Sequence, residues 1–544
     1  MPSRYIPHHN TPPSDFKAVK HRIHDALAEN VLRVHRHPSS NPKVYTGCAG
    51  EIIMDMRAFA VLPPKTFPDT PTSSLIAVPF HEPHHGNRVS YLETSIGPAT
   101  LLLVRQLRLR QNPESNAHKH ARRGKLDGEI LEEVELAETW KGAVDLISGA
   151  HEVATMESVD DDGCDVLYGR AGLLYALLLL RSELVITLDY LSHAGKQKER
   201  VVREVEKLCS DDNIKTLVDD IVERGQAGAK LYAEELEESE RPKAPPLMWR
   251  WHGSRYLGAA HGVVGILHML LHAPSAILQP HWEKIVATVE WLLALQDPLG
   301  NWPTRADRHI PSDGAAAQDG SSDEFDDSLV QWCHGASGFL MLFSALLRRS
   351  AASQSACPLS PALHSSVTAA TARAAELVYT RGLLRKGIGL CHGVGGAVYA
   401  LLAVSDALDT HESAASHPPT SRAHSHSLSH SLSLRRSPPH PHEVEDAVHA
   451  YWLQRAVHLA ELATEYRRLT QEGEMKTPDH PYSLYEGVAG MCCAWAEVMV
   501  RLGDPAPAAG GNGGANGNGN GYGNGYGSQK RGGMPAYDDI ALLA

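Results

Sequence analysis

A glycine pair spaced as Gly-x-x-Gly recurs along the chain and constrains its fold more than any other feature. Six clear copies begin at residues 47, 169, 262, 335, 393 and 487. A weaker copy, Ser95-Ile96-Gly97, lies between the first two. Most copies lead directly into an apolar stretch, such as Leu173–Leu180 or Ala397–Leu402. Because glycine suits a tight turn and lets backbones approach closely, these seven units predict a repeat of turns that open helices.

Longer amphipathic stretches precede several copies, for example residues 281–295 and 443–469. The repeat unit is therefore predicted to be an outer amphipathic helix followed by a more apolar inner helix. Strand signals are few, so the fold class is all-α. Seven helix pairs can form an open solenoid or a closed ring, and the periodicity by itself does not decide between them.

Length and composition narrow the function classes. A net charge of −13 argues against nucleic acid as the main partner, because phosphate binding favours a basic surface. Residues 1–16 are polar and rich in proline, without the apolar core of a signal peptide. The longest apolar run, Ala171–Leu180, covers about half of the roughly 20 residues that cross a bilayer. We therefore expect a cytoplasmic protein without a transmembrane segment, which leaves peripheral membrane association open.

Three segments interrupt the repeat. The stretch 111–128 is charged, 413–442 is rich in serine, histidine and proline, and 506–534 is a Gly/Asn tract. Segments of this composition bury too little apolar surface to fold and are expected to be disordered. We therefore expect a helical domain over 1–504 with inserts near 111–128 and 413–442, followed by a low-complexity tail over 505–544. The histidines of the second insert are interpreted as part of a solvated loop.

Two motifs carry the chemistry: Trp332-Cys333-His334-Gly335 and Leu390-Cys391-His392-Gly393. Each stands at the start of a predicted inner helix, in consecutive repeats, which favours a closed ring that brings them together. Two thiolates and an imidazole can bind one zinc ion, with the fourth tetrahedral position open. The alternative is a pair of buried, inert thiols or a disulfide. Eight cysteines in 544 residues are too few for a secreted disulfide scaffold.

In the identity and order of its motifs, the chain resembles the lanthionine synthetase C-like (LanC-like) family, and most closely the eukaryotic branch of that family. The resemblance rests on the two Cys-His-Gly motifs, on the seven glycine units and on four longer segments. These segments are Leu167–Gly172, Gly258–Gly265, Lys386–Gly393 and Ser483–Gly490. It extends from about residue 4 to residue 502 and leaves out the inserts and the tail. It implies an α/α toroid of seven inner and seven outer helices.

The resemblance also implies an activity. Bacterial members add cysteine thiols to dehydrated serine or threonine residues, and eukaryotic members bind glutathione and are credited with adding it to dehydroalanine or dehydrobutyrine in proteins. We therefore expect a zinc-dependent, thioether-forming transferase that uses glutathione. The alternative is a non-catalytic zinc- and glutathione-binding scaffold. Glycosidases also occur on helical toroids, but the inner-helix starts lack the paired carboxylates that glycoside cleavage needs.

Residue by residue, the resemblance assigns Cys333, Cys391 and His392 as zinc ligands. His261, just before the glycine pair of the preceding repeat, is a candidate acid or base, with a helix-capping or core histidine as the alternative. Asp165 could orient His261 or hold a proton; the alternative is an acid at the surface or at the N-terminus of a helix.

Three basic residues are candidate contacts for the two carboxylates of glutathione. They are Lys386, Arg4 and Lys476, for each of which a solvated surface position is the alternative. Leu329 stands where the bacterial cyclases carry an arginine, which weakens the case for lantibiotic-type cyclisation. Cys492 and Cys493 are expected in the core.

Overall fold

The computed structural model describes residues 3–67, 85–111, 127–306, 329–352, 356–412, 450–503 and 532–540. Over these residues the chain is helical, with short 3-10 turns and three isolated β-bridges. The insert over 413–442 and almost all of the insert over 111–128 lie outside the described residues.

Seven helices begin within the glycine turns that the sequence predicts. They are α2 Cys48–Ala58, α3 Ile96–Gln111, α5 Arg170–His193, α8 Val263–Leu270, α11 Ala336–Ala351, α13 Val394–Glu412 and α16 Val488–Arg501. Most of their described residues are buried, and every residue of α8 is. A helix that is apolar all round must lie inside the protein, so these are the inner helices.

The remaining helices form the outer layer. They are α1 Phe16–His35, α4 Asp127–Met156, α6 Arg200–Leu208, α7 Asp211–Glu235, α9 Ser275–Leu278, α10 Trp282–Ala294, α12 Pro361–Arg381, α14 Tyr451–Leu462 and α15 Tyr466–Gln471. These helices bury one face, and even the nine-residue α6 does so with Val201, Val202 and Val205. Their opposite faces carry most of the charged residues.

The inner helices form a closed ring. Contacts join α2 to α3, α3 to α5, α5 to α8, α8 to α11, α11 to α13 and α13 to α16, and α16 returns to α2. An open solenoid would lack the contact between the last inner helix and the first. The all-α toroid is therefore confirmed. Helix α5 is long and apolar enough to cross a membrane, but 67% of its most apolar window is buried, as expected for a helix of this ring.

Backbone hydrogen bonds connect the turns at one end of the ring. Cys333 N–H donates to Cys391 O at 3.2 Å, and Cys391 N–H donates to Tyr485 O at 2.8 Å. Tyr485 N–H donates to Tyr45 O at 3.1 Å, and Tyr45 N–H donates to Leu92 O at 3.1 Å. These bonds hold five turns in register. Residues far apart in sequence therefore face one another at this end.

Part of the predicted tail is packed inside the protein. Residues 533–538 and 540 are buried, and Tyr485 Oη donates to Pro535 O at 3.0 Å. Asp539 pairs with Arg57 at 2.7 Å. The boundary near residue 504 stays a prediction, but the segment 532–540 does not behave as a low-complexity tail. It contains Met534, Tyr537 and Ile540, whose apolar side chains leave water on packing.

Gly335→Ala should destabilise the protein strongly, because Gly335 has a φ of 98° and an added Cβ would overlap the Leu329 carbonyl. Gly473→Ala is the matched control, with a φ of 76° and nothing within 4 Å of the added atom. We expect the control to cost about 1 kcal/mol and Gly335→Ala more than about 3 kcal/mol. Thermal and urea unfolding measure both. Equal losses would contradict the assigned role of the close approach.

Candidate metal centre

Cys333, Cys391 and His392 come together at the end of the ring where the turns are hydrogen-bonded. Cys333 precedes α11, and the other two precede α13. Their ligand atoms all lie within 4.8 Å of one another. Both sulfurs are buried and His392 is half-buried. Two thiolates and an imidazole are ligands that zinc prefers, so this donor set fits the predicted ion.

No disulfide joins any of the eight cysteines, all of which lie within the described residues. Cys492 and Cys493 are fully buried in α16, as expected for core residues. Cys333 and Cys391 are therefore free thiols, and the alternative of a disulfide between them is wrong.

The two site sulfurs are electrostatically linked. The hydrogen bond with Cys391 lowers the pKa of the Cys333 thiol well below its usual value, against the effect of burial. Burial, reinforced by Cys333, raises the pKa of the Cys391 thiol well above its usual value. Without a cation, therefore, the two sulfurs oppose each other's ionisation and their pKa values are pushed apart. A bound divalent ion would remove this conflict, since it favours both thiolates.

Two further side chains contact these sulfurs. Gln331 Nε2 donates to Cys333 Sγ at 3.1 Å. Tyr45 forms a hydrogen bond with Cys391, and burial raises the pKa of its hydroxyl well above the usual value. Tyr45 therefore stays protonated and can donate. Hydrogen bonds of this kind orient ligands and temper the charge on the sulfur.

Half-buried His261 and buried Asp165 form a hydrogen-bonded pair. His261 Nδ1 lies 2.8 Å from Asp165 Oδ2, which also accepts from Tyr168 N–H at 3.1 Å. The other oxygen, Oδ1, is buried and has no hydrogen-bond partner among the described residues. A carboxylate at Nδ1 places the proton there and leaves the Nε2 lone pair available as a base. The structure thus brings together the two residues that the sequence analysis paired, and the surface alternative for Asp165 is wrong.

Aromatic rings fix the imidazole of His261. Trp251 stacks on it with ring centroids 3.7 Å apart and planes 17° apart. Tyr168 lies nearly parallel at 5.8 Å. His261 is thus held by a hydrogen bond at its edge and by stacking on its face. Its orientation is set before any substrate binds.

His334 connects this pair to the metal ligands. Burial lowers the pKa of His334, which interacts electrostatically with Cys333, His261, Lys386 and Arg305. The ring centroid of Tyr256 lies 6.1 Å from that of His261 and 5.5 Å from that of His334, so the two histidines lie at one site. The group of ligand atoms that lie within 4.8 Å of one another contains Cys333, Cys391 and His392 but not His334.

The three predicted basic residues are adjacent through their backbones. Arg385 N–H donates to Arg4 O at 3.0 Å, and Lys476 N–H donates to Arg385 O at 2.7 Å. Lys386 follows directly and interacts with both Cys391 and His334. The side chains of Arg4, Lys386 and Lys476 are exposed. They form a basic rim beside the triad, and their role in binding stays a prediction.

Sequence reasoning missed Arg305. Its guanidinium donates to Tyr256 Oη at 2.9 Å and interacts with His334. It comes from a loop without a repeat motif, so no local signal marks it. With Leu329 in the position of the bacterial arginine, Arg305 supplies a cation beside this site from a different segment.

Comparison with known proteins places this arrangement in a family. The model of the family "Lanthionine synthetase C-like protein" matches residues 38–431. The chain belongs to the lanthionine synthetase C-like family. The Danio rerio protein named Glutathione S-transferase LANCL1 is 26% identical over 337 residues, which are 62% of this chain and 59% of the relative. The Arabidopsis thaliana LanC-like protein GCL1 is 26% identical over 336 residues, 62% of this chain and 55% of the relative.

The matched regions thus span less than two thirds of either relative. With both relatives eukaryotic, the resemblance inferred from the sequence motifs is confirmed.

Cobalt(II) should bind to the Cys333/Cys391/His392 triad of this LanC-like protein and reveal it by its absorption spectrum. Cobalt bound by thiolates absorbs in the near ultraviolet through sulfur-to-metal charge transfer, and we expect this band in the wild type. Cys333→Ala/Cys391→Ala should abolish the band. Cys493→Ala, which removes a buried cysteine of α16, should keep it. A band that survives in the double variant would show that the sulfurs do not hold the metal.

Proposed function

We propose that this chain is a zinc-dependent, thioether-forming transferase that adds the glutathione thiol to dehydroalanine or dehydrobutyrine residues in proteins or peptides. The observation that carries the proposal is the joint position of the Cys333/Cys391/His392 triad and the His261–Asp165 pair around His334. A binding scaffold has no need of an oriented base beside its ligand. The relative named a glutathione S-transferase supports glutathione as the thiol.

Zinc held by the triad would stabilise a thiolate at its open position, which matters because a free thiol has a pKa of about 8.5. The protein's own task is to bring glutathione there. Lys386, Arg4 and Lys476 form a rim of exposed cations beside the triad. Their positive charge would bind the two carboxylates of the tripeptide and orient its sulfur toward the site.

His261 would manage the proton. Its Nε2 takes the proton from the incoming thiol, while Asp165 stabilises the resulting imidazolium. The sulfur then forms a bond to the β-carbon of the dehydroamino acid, and the electron pair of the carbon–carbon double bond moves to the α-carbon and its carbonyl. His261 returns its proton to the α-carbon. Atoms and charge balance, and no oxidant or leaving group is required.

We also propose a cytoplasmic location. Two thiols that must stay reduced fit a reducing compartment, and glutathione is a thiol of such compartments.

His261→Ala should separate chemistry from binding. Loss of the acid/base group should lower kcat/KM for glutathione addition to a dehydroalanine peptide by at least about 100-fold. Glutathione affinity should change by less than about twofold, because the basic rim is untouched. Mass spectrometry follows the adduct and calorimetry the binding, with the cobalt band as a check on the metal site. A fully active variant would refute the acid/base role. Wild-type protein that binds glutathione but forms no adduct would favour the scaffold.

Lys386→Ala should act on binding. Removing one exposed charge-assisted contact should weaken glutathione affinity about fivefold and leave kcat nearly unchanged, because Lys386 is not the base. The control is Lys207→Ala, which removes an exposed lysine of outer helix α6 that pairs with Glu204 at 3.3 Å. An equal effect of both variants would remove Lys386 from the proposed binding site.

A further inference from the structure

A second cluster of metal-binding side chains lies in the core. His268 is in α8, and His272 stands four residues later, just past the end of that helix. Asp538 reaches them from the segment 532–540. His268 and His272 are fully buried and Asp538 is 5% exposed. Two histidines four residues apart and a carboxylate are a donor set that zinc accepts.

The distances suit one ion. His268 Nε2 lies 3.3 Å and His272 Nε2 lies 3.8 Å from Asp538 Oδ1. One ligand atom from each residue lies within 4.8 Å of the other two. An ion with bonds of about 2.0–2.1 Å to tetrahedral ligands separates those ligands by roughly 3.3–3.4 Å. A small inward movement of His272 would complete this arrangement.

The hydrogen bonding leaves the cluster incomplete without a cation. His272 Nδ1 donates to His268 O at 2.8 Å, so its Nε2 carries a lone pair. That atom, and both ring nitrogens of His268, have no hydrogen-bond partner in the part of the chain that the structure describes. The His272 lone pair therefore faces an Asp538 oxygen with no proton between them, which is unfavourable at a buried site.

Two neighbours hold the carboxylate and one ring in place. Arg348 of α11 lies 3.2 Å from Asp538 Oδ1. Tyr537 stacks on His268 with ring centroids 4.3 Å apart. Arg348 orients the carboxylate as an outer partner does, although its positive charge weakens the affinity for a cation. Tyr537 also packs against Trp332, with centroids 5.1 Å apart. Because Trp332 directly precedes Cys333, Tyr537 and Trp332 connect the His268/His272/Asp538 cluster to the cysteine site.

We propose that His268, His272 and Asp538 form a second divalent-metal site, of the zinc type, which ties the segment 532–540 to the inner ring. An ion here would have three protein ligands and one further coordination position. Because all three ligands are buried and come from two segments, we assign the ion the role of holding the segment 532–540 against α8. The site shares no ligand with the cysteine triad.

Metal titration of the full-length chain tests this site independently of catalysis. In Cys333→Ala/Cys391→Ala, one equivalent of cobalt(II) should still bind, with visible absorption but no sulfur charge-transfer band. Elemental analysis of zinc-loaded wild type should give two equivalents. No metal in the double-cysteine variant would overturn the proposal and make the cluster a His–Asp–Arg network. That result would leave the proposed transferase intact.

Substitutions of two adjacent carboxylates test whether Asp538 is a metal ligand. Asp538→Asn, added to the double-cysteine variant, should abolish the remaining equivalent. Asp539→Asn is the control, because it changes the adjacent carboxylate, which binds Arg57 and Tyr175 and not the histidines. It should retain the metal.

Hydrogen exchange covers the case in which Asp538→Asn fails to fold. Zinc added to the double-cysteine variant should slow amide exchange in residues 534–540 by at least about tenfold. Unchanged exchange at saturating zinc would overturn the link to this segment.

Discussion

The close approach of backbone turns at one end of the ring is the constraint on which the rest of the structure depends. An added Cβ at Gly258 would overlap the carbonyl of Cys333, and one at Gly389 would overlap the backbone of Glu486. Any side chain there would push two turns apart. At Gly389 this separation would break the hydrogen bond from Cys391 N–H to Tyr485 O. Since these turns also carry the site residues, the same contact that closes the ring fixes the distances between the metal ligands.

The ring explains why neighbouring repeats supply different chemistry at equivalent places. His261, His334 and His392 each stand directly before the first glycine of their repeats. In a closed ring these positions face a common centre, so three similar imidazoles acquire different environments. His392 lies beside two sulfurs, half-buried His334 interacts with Lys386 and Arg305, and His261 contacts a carboxylate and an indole. The partner of each histidine, more than its position, decides what it can do.

The interior beyond the site is unusually polar for an apolar ring. Asp539 pairs with Arg57 and accepts from Tyr175, while Asp538 meets Arg348 and the two buried histidines. Both carboxylates come from the segment 532–540. A chain that inserts two acids into a core must satisfy them, and paired cations or metal ions are the available means. The segment 532–540 therefore fills the interior of the ring with apolar side chains and also supplies carboxylates that pair with buried cations of the inner helices.

The sequence by itself determined the repeat, the helical class, the family and the candidate metal ligands. These follow from local rules: glycine spacing marks the turns, apolar periodicity marks the inner helices, and cysteine with histidine marks the metal.

Only the tertiary structure decided that the ring closes, that Asp165 reaches His261, that Arg305 lies beside His334, and that Asp538 enters the core. Each of these is a contact between segments separated by many residues, 96 in the case of His261 and Asp165. Such contacts depend on how helices pack around a common axis, and no local pattern in the chain encodes that packing.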